Sequence, residues 1–150
     1  YWDMNSRGII SGITRGTNSS HFVRAALESI AYQVYDLFNA IQLDMGSQSK
    51  ILQVDGGASQ NDFLMQFQAD ILNIKISRPE NIETTALGVA LLAGLSVKFW
   101  TSPNDFKNII KINKSFVSSI NSKNRSLLLA GWKETILKTL TSKKINKMTL

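Results

Sequence analysis

The stretch Ile51-Leu52-Gln53-Val54-Asp55-Gly56-Gly57-Ala58-Ser59-Gln60-Asn61 narrows the fold more than any other part of the chain. A short apolar run with β-branched ends reads as a buried strand, and the glycine pair breaks it into a tight turn. A helix follows. Asn61 or Asp62 offers the cap, and Phe63, Leu64, Phe67, Ile71 and Leu72 supply its apolar face. Ile74-Lys75-Ile76-Ser77-Arg78 then alternates strictly and stops at Pro79, which predicts a second strand near a sheet edge. Strand, helix and strand in succession define an α/β class with a sheet flanked by helices.

The flanking segments add helices and few strands. Residues 7–16 alternate small and β-branched residues between glycines, which suits a short strand or an extended segment turning at Gly16. Thr17, Asn18, Ser19 and Ser20 are caps for a long helix in which Val23, Leu27, Ile30, Val34, Leu37 and Ile41 form one stripe, with Gly46 as its stop. Thr84 or Thr85 opens a helix that is apolar all round to Leu95, and such a helix is expected to be buried. Its glycines cost about 1 kcal/mol each relative to alanine, so a close approach of another group is the expected compensation. Ser102-Pro103 starts a short amphipathic stretch through Ile109, Ile110 and Ile112. A last helix spans about 125–140, with Leu127, Leu128, Trp132, Ile136, Leu137 and Leu140 facing the body, and a basic, frayed tail fills 141–150. Two or three strands are too few for a self-sufficient sheet among so many helices. With a start at Tyr1-Trp2 rather than methionine, this sets the expectation of a piece of a longer polypeptide whose partner strands lie upstream.

Composition excludes several classes. The chain has 150 residues, 43% of them hydrophobic, which is enough for a real core and too apolar for wholesale disorder. It has no cysteine, so disulfide scaffolds, thiolate metal sites and cysteine nucleophiles are out, and a reducing intracellular setting fits. No apolar run reaches the ~20 residues of a membrane helix. The net charge is +6, but residues 1–97 carry 6 basic against 9 acidic side chains and residues 98–150 carry 11 against 2. That basicity is mostly lysine, spaced by Asn and Ser with Arg125 as its arginine. It reads as a solvated helical face, because a phosphate-binding stripe usually adds arginines and interleaved aromatics.

The glycine loop is the main chemical candidate. Glycines let a backbone come within hydrogen-bonding distance of a ligand, and the open N–H groups of the following helix carry partial positive charge. Gly-Gly turns between strand and helix are also common as plain connections. The loop is neither a dinucleotide fingerprint nor a Walker loop. His21 stands alone at a helix start and reads as a structural or capping residue rather than a zinc ligand. Asp55 at a strand end, and Glu83 with Thr84 and Thr85, could act in a cleft or simply cap and solvate loops. No catalytic and no metal-binding set is complete in these residues.

Several segments, in order, resemble the FGGY family of carbohydrate kinases. They are Gly8-Ile9-Ile10-Ser11-Gly12-Ile13-Thr14-Arg15-Gly16-Thr17, His21-Phe22-Val23-Arg24-Ala25-Ala26-Leu27-Glu28-Ser29-Ile30-Ala31-Tyr32-Gln33, the Thr84 to Leu95 run, and Ala130-Gly131-Trp132. Val54-Asp55-Gly56-Gly57-Ala58 and Phe63-Leu64-Met65-Gln66-Phe67-Gln68-Ala69-Asp70-Ile71-Leu72 are similar to the branch of the family whose acceptor is glycerol. The resemblance is close over residues 1–100 and loose from there to about 140.

The resemblance implies part of an actin-like ATPase (ribonuclease H-like) domain with a mixed sheet, residues 1–140 being the latter part of the family's C-terminal domain. It implies ATP-dependent phosphorylation of glycerol by the complete protein. Gly57 and Asn61 match the family's nucleotide contacts, and Gly56 and Ala58 shape the same loop around the adenosine side of ATP. The Asp-x-Gly-Thr-Thr phosphate loop, the acidic base and the glycerol-holding groups are not in this chain, so the 150 residues alone are expected to be inactive. ATP or ADP and glycerol are the implied partners, with Mg2+ held mainly by residues outside the chain. A cytoplasmic homo-oligomer with no nucleic-acid or membrane partner is the implied setting. Asp62 departs from the family, many of whose members carry an amide there. A kinase for another polyol or sugar, or a stand-alone basic binding module, are the competing readings.

Overall fold

The computed structural model describes Tyr1 and residues 3–141. Its elements are α1 (Ser19–Met45), β1 (Ile51–Gln53), α2 (Asp62–Leu72), β2 (Lys75–Pro79), α3 (Thr84–Ser96), β3 (Ile112–Phe116) and α4 (Ser122–Thr139), with 3-10 turns at Gly57–Gln60 and Pro103–Asn108. They form the expected α/β arrangement. The chain divides into two units, Glu28–Ser119 and the pair Tyr1–Leu27 with Ile120–Leu150.

The central unit is built on a three-stranded mixed sheet in the order β1-β2-β3. β1 runs parallel to β2, with Ile51 opposite Lys75 and Gln53 opposite Ser77, and α2 makes the crossover that a parallel pair requires. β3 returns antiparallel, pairing Ile76 with Phe116 and Arg78 with Lys114. The two-residue period therefore puts Ile76, Arg78, Lys114 and Phe116 on one face of the sheet. Leu64, Ile71 and Ile76 are the large side chains wholly removed from water, joined by Met65, Phe67, Leu72 and Phe116. α1 enters this core through Ala31 and Tyr32. The Tyr32 ring meets Phe67 edge-on at 5.4 Å, a favoured aromatic geometry.

Several expectations are corrected. β2 is the central strand rather than an edge strand, whereas β1, expected to be buried, lies at the edge of the described sheet with none of its residues buried and Ile51 half exposed. Pro79 is accommodated because it ends the strand, where the ladder with β3 is irregular between Arg78 and Pro79. The helical entry at Ser102-Pro103 is only a 3-10 turn ending at Asn108, before Ile109 and Ile110, and Ile112 opens β3 instead of continuing a helix. Only Leu91 of α3 is buried, with Val89 and Leu92 each about two-thirds exposed. The α1 stripe fares similarly: Val23, Ile30, Leu37 and Ile41 remain exposed among the described residues. Three strands and their connections present less apolar surface than these helices carry.

In the other unit, residues 7–16 are extended and turn at Arg15 and Gly16 without pairing into a strand. Asn18 caps α1, its Oδ1 accepting from the amides of Ser20 and His21 at 3.1 and 3.4 Å. His21 reciprocates, Nδ1 accepting from the Asn18 amide at 3.1 Å, which is the capping role expected of it. α4 is capped by Asn121 and buries none of its residues, contrary to the expected docked face. The apolar anchor is Leu140, just past its end. Thr141, expected to fray, donates its amide and hydroxyl to Asp3, both at 2.9 Å, and the Ser6 hydroxyl donates to the Thr139 carbonyl. The rest of the expected tail, 142–150, lies outside the described residues.

Candidate functional site

The loop between β1 and α2 is shaped by three contacts. Gly56 has φ 76° and ψ 173°, a region essentially confined to glycine, so a side chain at this position would be strained whatever the space around it. Its amide donates to the Ile82 carbonyl at 2.9 Å, which ties the loop to the segment entering α3. Its carbonyl accepts from the amide and the hydroxyl of Ser59 at 3.1 and 2.7 Å. Ser59 is buried, and this double contact closes the Gly57–Gln60 turn.

Gly57 and Ala58 sit on the exposed side of that turn, and a Cβ added at Gly57 would meet nothing within 4 Å. Among the described residues, nothing therefore requires glycine at position 57. Asn61 ends the turn and caps α2, its Oδ1 accepting from the Leu64 amide at 3.0 Å. The capping expectation holds for Asn61 rather than Asp62. Asn61 itself is exposed.

Behind the loop, Asp62 is paired on both oxygens, by Arg78 at 2.9 Å and Lys114 at 2.6 Å. The hydrogen bond from Lys114, then that from Arg78, holds its carboxyl below the ordinary 3.8. The negative charge of Asp62 is thus neutralised locally. Arg78 and Lys114 went unnoticed in the sequence because they converge only when β2 and β3 pair, and β3 was not foreseen.

Asp55 lies exposed at the strand end. Glu83 precedes α3 without a side-chain cap, and its amide donates to Asn81 Oδ1 at 2.9 Å. Thr84 lines a shallow cleft with Pro79, Glu80, Leu87, Leu91 and Ile110, whereas Thr85 does not. The Gly56–Ile82 bond thus brings the loop beside the Glu83 segment, with no acid-base pair formed. Among the described residues, no three His, Asp or Glu side chains gather as a metal site, and no helix is long and apolar enough to cross a membrane.

A parallel strand pair bridged by a helix, with an open glycine turn after the first strand, is an α/β arrangement, and in open α/β sheets the carboxyl ends of the strands are where ligands commonly bind. Residues 1–97 match the FGGY family of carbohydrate kinases, C-terminal domain, and the chain belongs to that family. It is 53% identical over 139 residues to the glycerol kinase of Shewanella sp. (strain ANA-3), covering 93% of this chain and 28% of that protein. It is 51% identical over 144 residues to glycerol kinase 1 of Clostridium tetani, covering 96% and 29%. The crystal structure of Plasmodium falciparum glycerol kinase with ADP superposes with a TM-score of 0.84 at 37% identity, over 94% of this chain and 28% of that one. The xylulose kinase of Lactobacillus acidophilus shares the fold at 22% identity and a TM-score of 0.69, over 91% and 28%. These neighbours bear out the actin-like ATPase architecture. The chain spans about 28% of the length of the relatives it matches.

Proposed function

We propose that this chain forms the adenosine side of the ATP site in an enzyme that phosphorylates glycerol to glycerol 3-phosphate. In this reading residues 1–140 are the latter part of the C-terminal kinase domain. The observation that carries it is the open Gly57 surface on a turn held in place from behind, in a chain half identical to glycerol kinases and superposing on one with ADP.

The turn suits a nucleoside. Gly56 and Gly57 leave the backbone bare, so a flat ring and its ribose can come to van der Waals contact. Ala58 adds a single methyl. Asn61, with Oδ1 committed to the helix, presents Nδ2–H to an acceptor on the nucleoside. Phosphoryl transfer needs the acceptor hydroxyl held in line with the γ-phosphate, and catalysis is then mostly positioning and electrostatics. This chain contributes the positioning of the nucleoside. Mg2+ travels with ATP in such chemistry, and among the described residues no group of His, Asp or Glu side chains forms a site for it. A homo-oligomer in the cytoplasm is part of the same proposal; the cysteine-free composition supports the reducing compartment.

The test is ADP release by the native polypeptide that carries this sequence, with glycerol and with pentuloses as acceptors. Glycerol-dependent release well above that with pentuloses supports the reading. A preference for a pentulose would move the enzyme to another acceptor within the family.

A further inference from the structure

We infer that Arg78 is a positioning residue for the nucleotide, acting through the Ser59 carbonyl to fix the turn that Gly57 occupies. The inference rests on the proposed ATP site. Arg78 projects from β2 on the face shared with Phe116, and its side chain is only 11% exposed. Nη1 donates to the Ser59 carbonyl at 2.7 Å and to Asp62 Oδ1 at 2.9 Å, while Nη2 donates to Asn113 Oδ1 at 3.1 Å. The Phe116 ring lies 5.5 Å from the guanidinium carbon, which limits its tilt. The group is therefore held by α2, by β3 and by an aromatic face, and what it holds in turn is a backbone carbonyl of the loop.

An ion pair alone would need only Asp62. The bond to Ser59 adds no pairing of opposite charges but sets where the turn stands relative to the sheet. Ser59 is buried and bonds back to the Gly56 carbonyl, so a shift of Ser59 moves Gly56 and Gly57 with it. Ala58, Gln60 and Asn61 are exposed, and beyond the Gly56–Ile82 bond at the other end of the loop, the remaining backbone hydrogen bonds of the turn among the described residues are short-range, so Arg78 is what ties its Ser59 side to the sheet. Lysine cannot substitute. An ammonium is a compact point charge on a flexible stem, whereas the planar fork meets a carbonyl, a carboxylate and an amide oxygen at once.

The experiment compares wild type, Arg78→Met and Arg78→Lys in the native polypeptide, reading KM for ATP, KM for glycerol, Kd for ADP by calorimetry, and the thermal midpoint. Arg78→Met is expected to raise KM for ATP and Kd for ADP about tenfold while KM for glycerol stays within about twofold. Arg78→Lys is expected to recover the thermal midpoint through Asp62 without recovering KM for ATP. Should Arg78→Met fail to fold, Arg78→Lys carries the comparison. The inference is overturned if Arg78→Lys restores nucleotide affinity together with stability, or if either folded variant keeps wild-type affinity. A wild-type protein that binds ADP but does not phosphorylate glycerol defeats the proposed reaction and leaves the affinity ratio as the test of Arg78. One that binds no ADP defeats both.

Discussion

The indole of Trp100 lies 2.5 Å from the point where a Cβ on Gly94 would stand. The ring is held there by edge-on contacts with Phe99 at 4.7 Å and Phe106 at 5.9 Å, and the Phe99 amide donates to the Gly94 carbonyl at 2.8 Å. Gly88, six residues earlier on the same helix, has nothing within 4 Å of a Cβ. Alanine at either position gains roughly 0.5–1 kcal/mol of helix propensity. At position 94 displacement of the indole opposes it by about 1–3 kcal/mol. Gly88→Ala should therefore raise the denaturation midpoint of the purified chain and Gly94→Ala lower it. Equal stabilisation of both would show that Trp100 does not pack as described.

Asn61 caps α2, and the nucleotide contact proposed for it would be a second, separable duty. Removing its cap with Asn61→Ala should cost about 1 kcal/mol of stability. Asn61→Asp keeps an oxygen for the Leu64 amide and so keeps the cap, while removing the Nδ2 donor and adding a negative charge at the proposed nucleotide loop. We expect near wild-type stability and clearly weaker ADP binding for Asn61→Asp, measured by urea titration and calorimetry. Unchanged ADP affinity would leave Asn61 as a cap only.

Asp62 sets a pH dependence. Its carboxyl, held low by Lys114 and Arg78, is protonated less readily in the folded chain than unfolded. Such a group adds stability above its unfolded value, near 3.8, and the stability is lost as pH falls through the lower folded value. Asp62→Asn should therefore be less stable than wild type at pH 6, and the gap should narrow below about pH 4. The gap should also shrink in high salt, because the carboxylate is exposed. A gap that widens on acidification would contradict the pairing.

The uncovered faces predict association. Val89, Leu92, Val97 and Phe99 are all exposed in and just after α3. Exposed apolar side chains clustered in one stretch of chain favour contacts between molecules. Sedimentation of the isolated chain should show concentration-dependent self-association that Val89→Ser with Leu92→Ser reduces. A strictly monomeric chain at all concentrations would argue that these side chains find cover within the molecule.

Local signals in the sequence carried much of this account, and long-range ones carried little. The β1-turn-α2 unit was legible because its determinants are adjacent: apolar residues to Val54, two glycines, and Asn61 ahead of an apolar face. His21 as a cap was legible for the same reason. β3 was not, because Ile112-Asn113-Lys114-Ser115-Phe116 buries only Phe116 and lacks a clean alternation. With β3 unseen, β2 looked like an edge and the Arg78-Asp62-Lys114 cluster could not be assembled. The exposure of α1 and α3 was equally hidden, since periodicity shows which face is apolar but not whether another element covers it.

The most direct test of the central claim is Gly57→Val in the native polypeptide, read as ATP-dependent phosphorylation of glycerol. Within the chain a side chain at position 57 has room, so its effect reports what approaches from outside. We predict an intact fold, robust wild-type turnover and a KM for ATP raised about tenfold or more by the valine, with KM for glycerol little changed. Wild-type protein without glycerol-dependent ADP formation, or a valine variant with wild-type KM for ATP, would contradict the account.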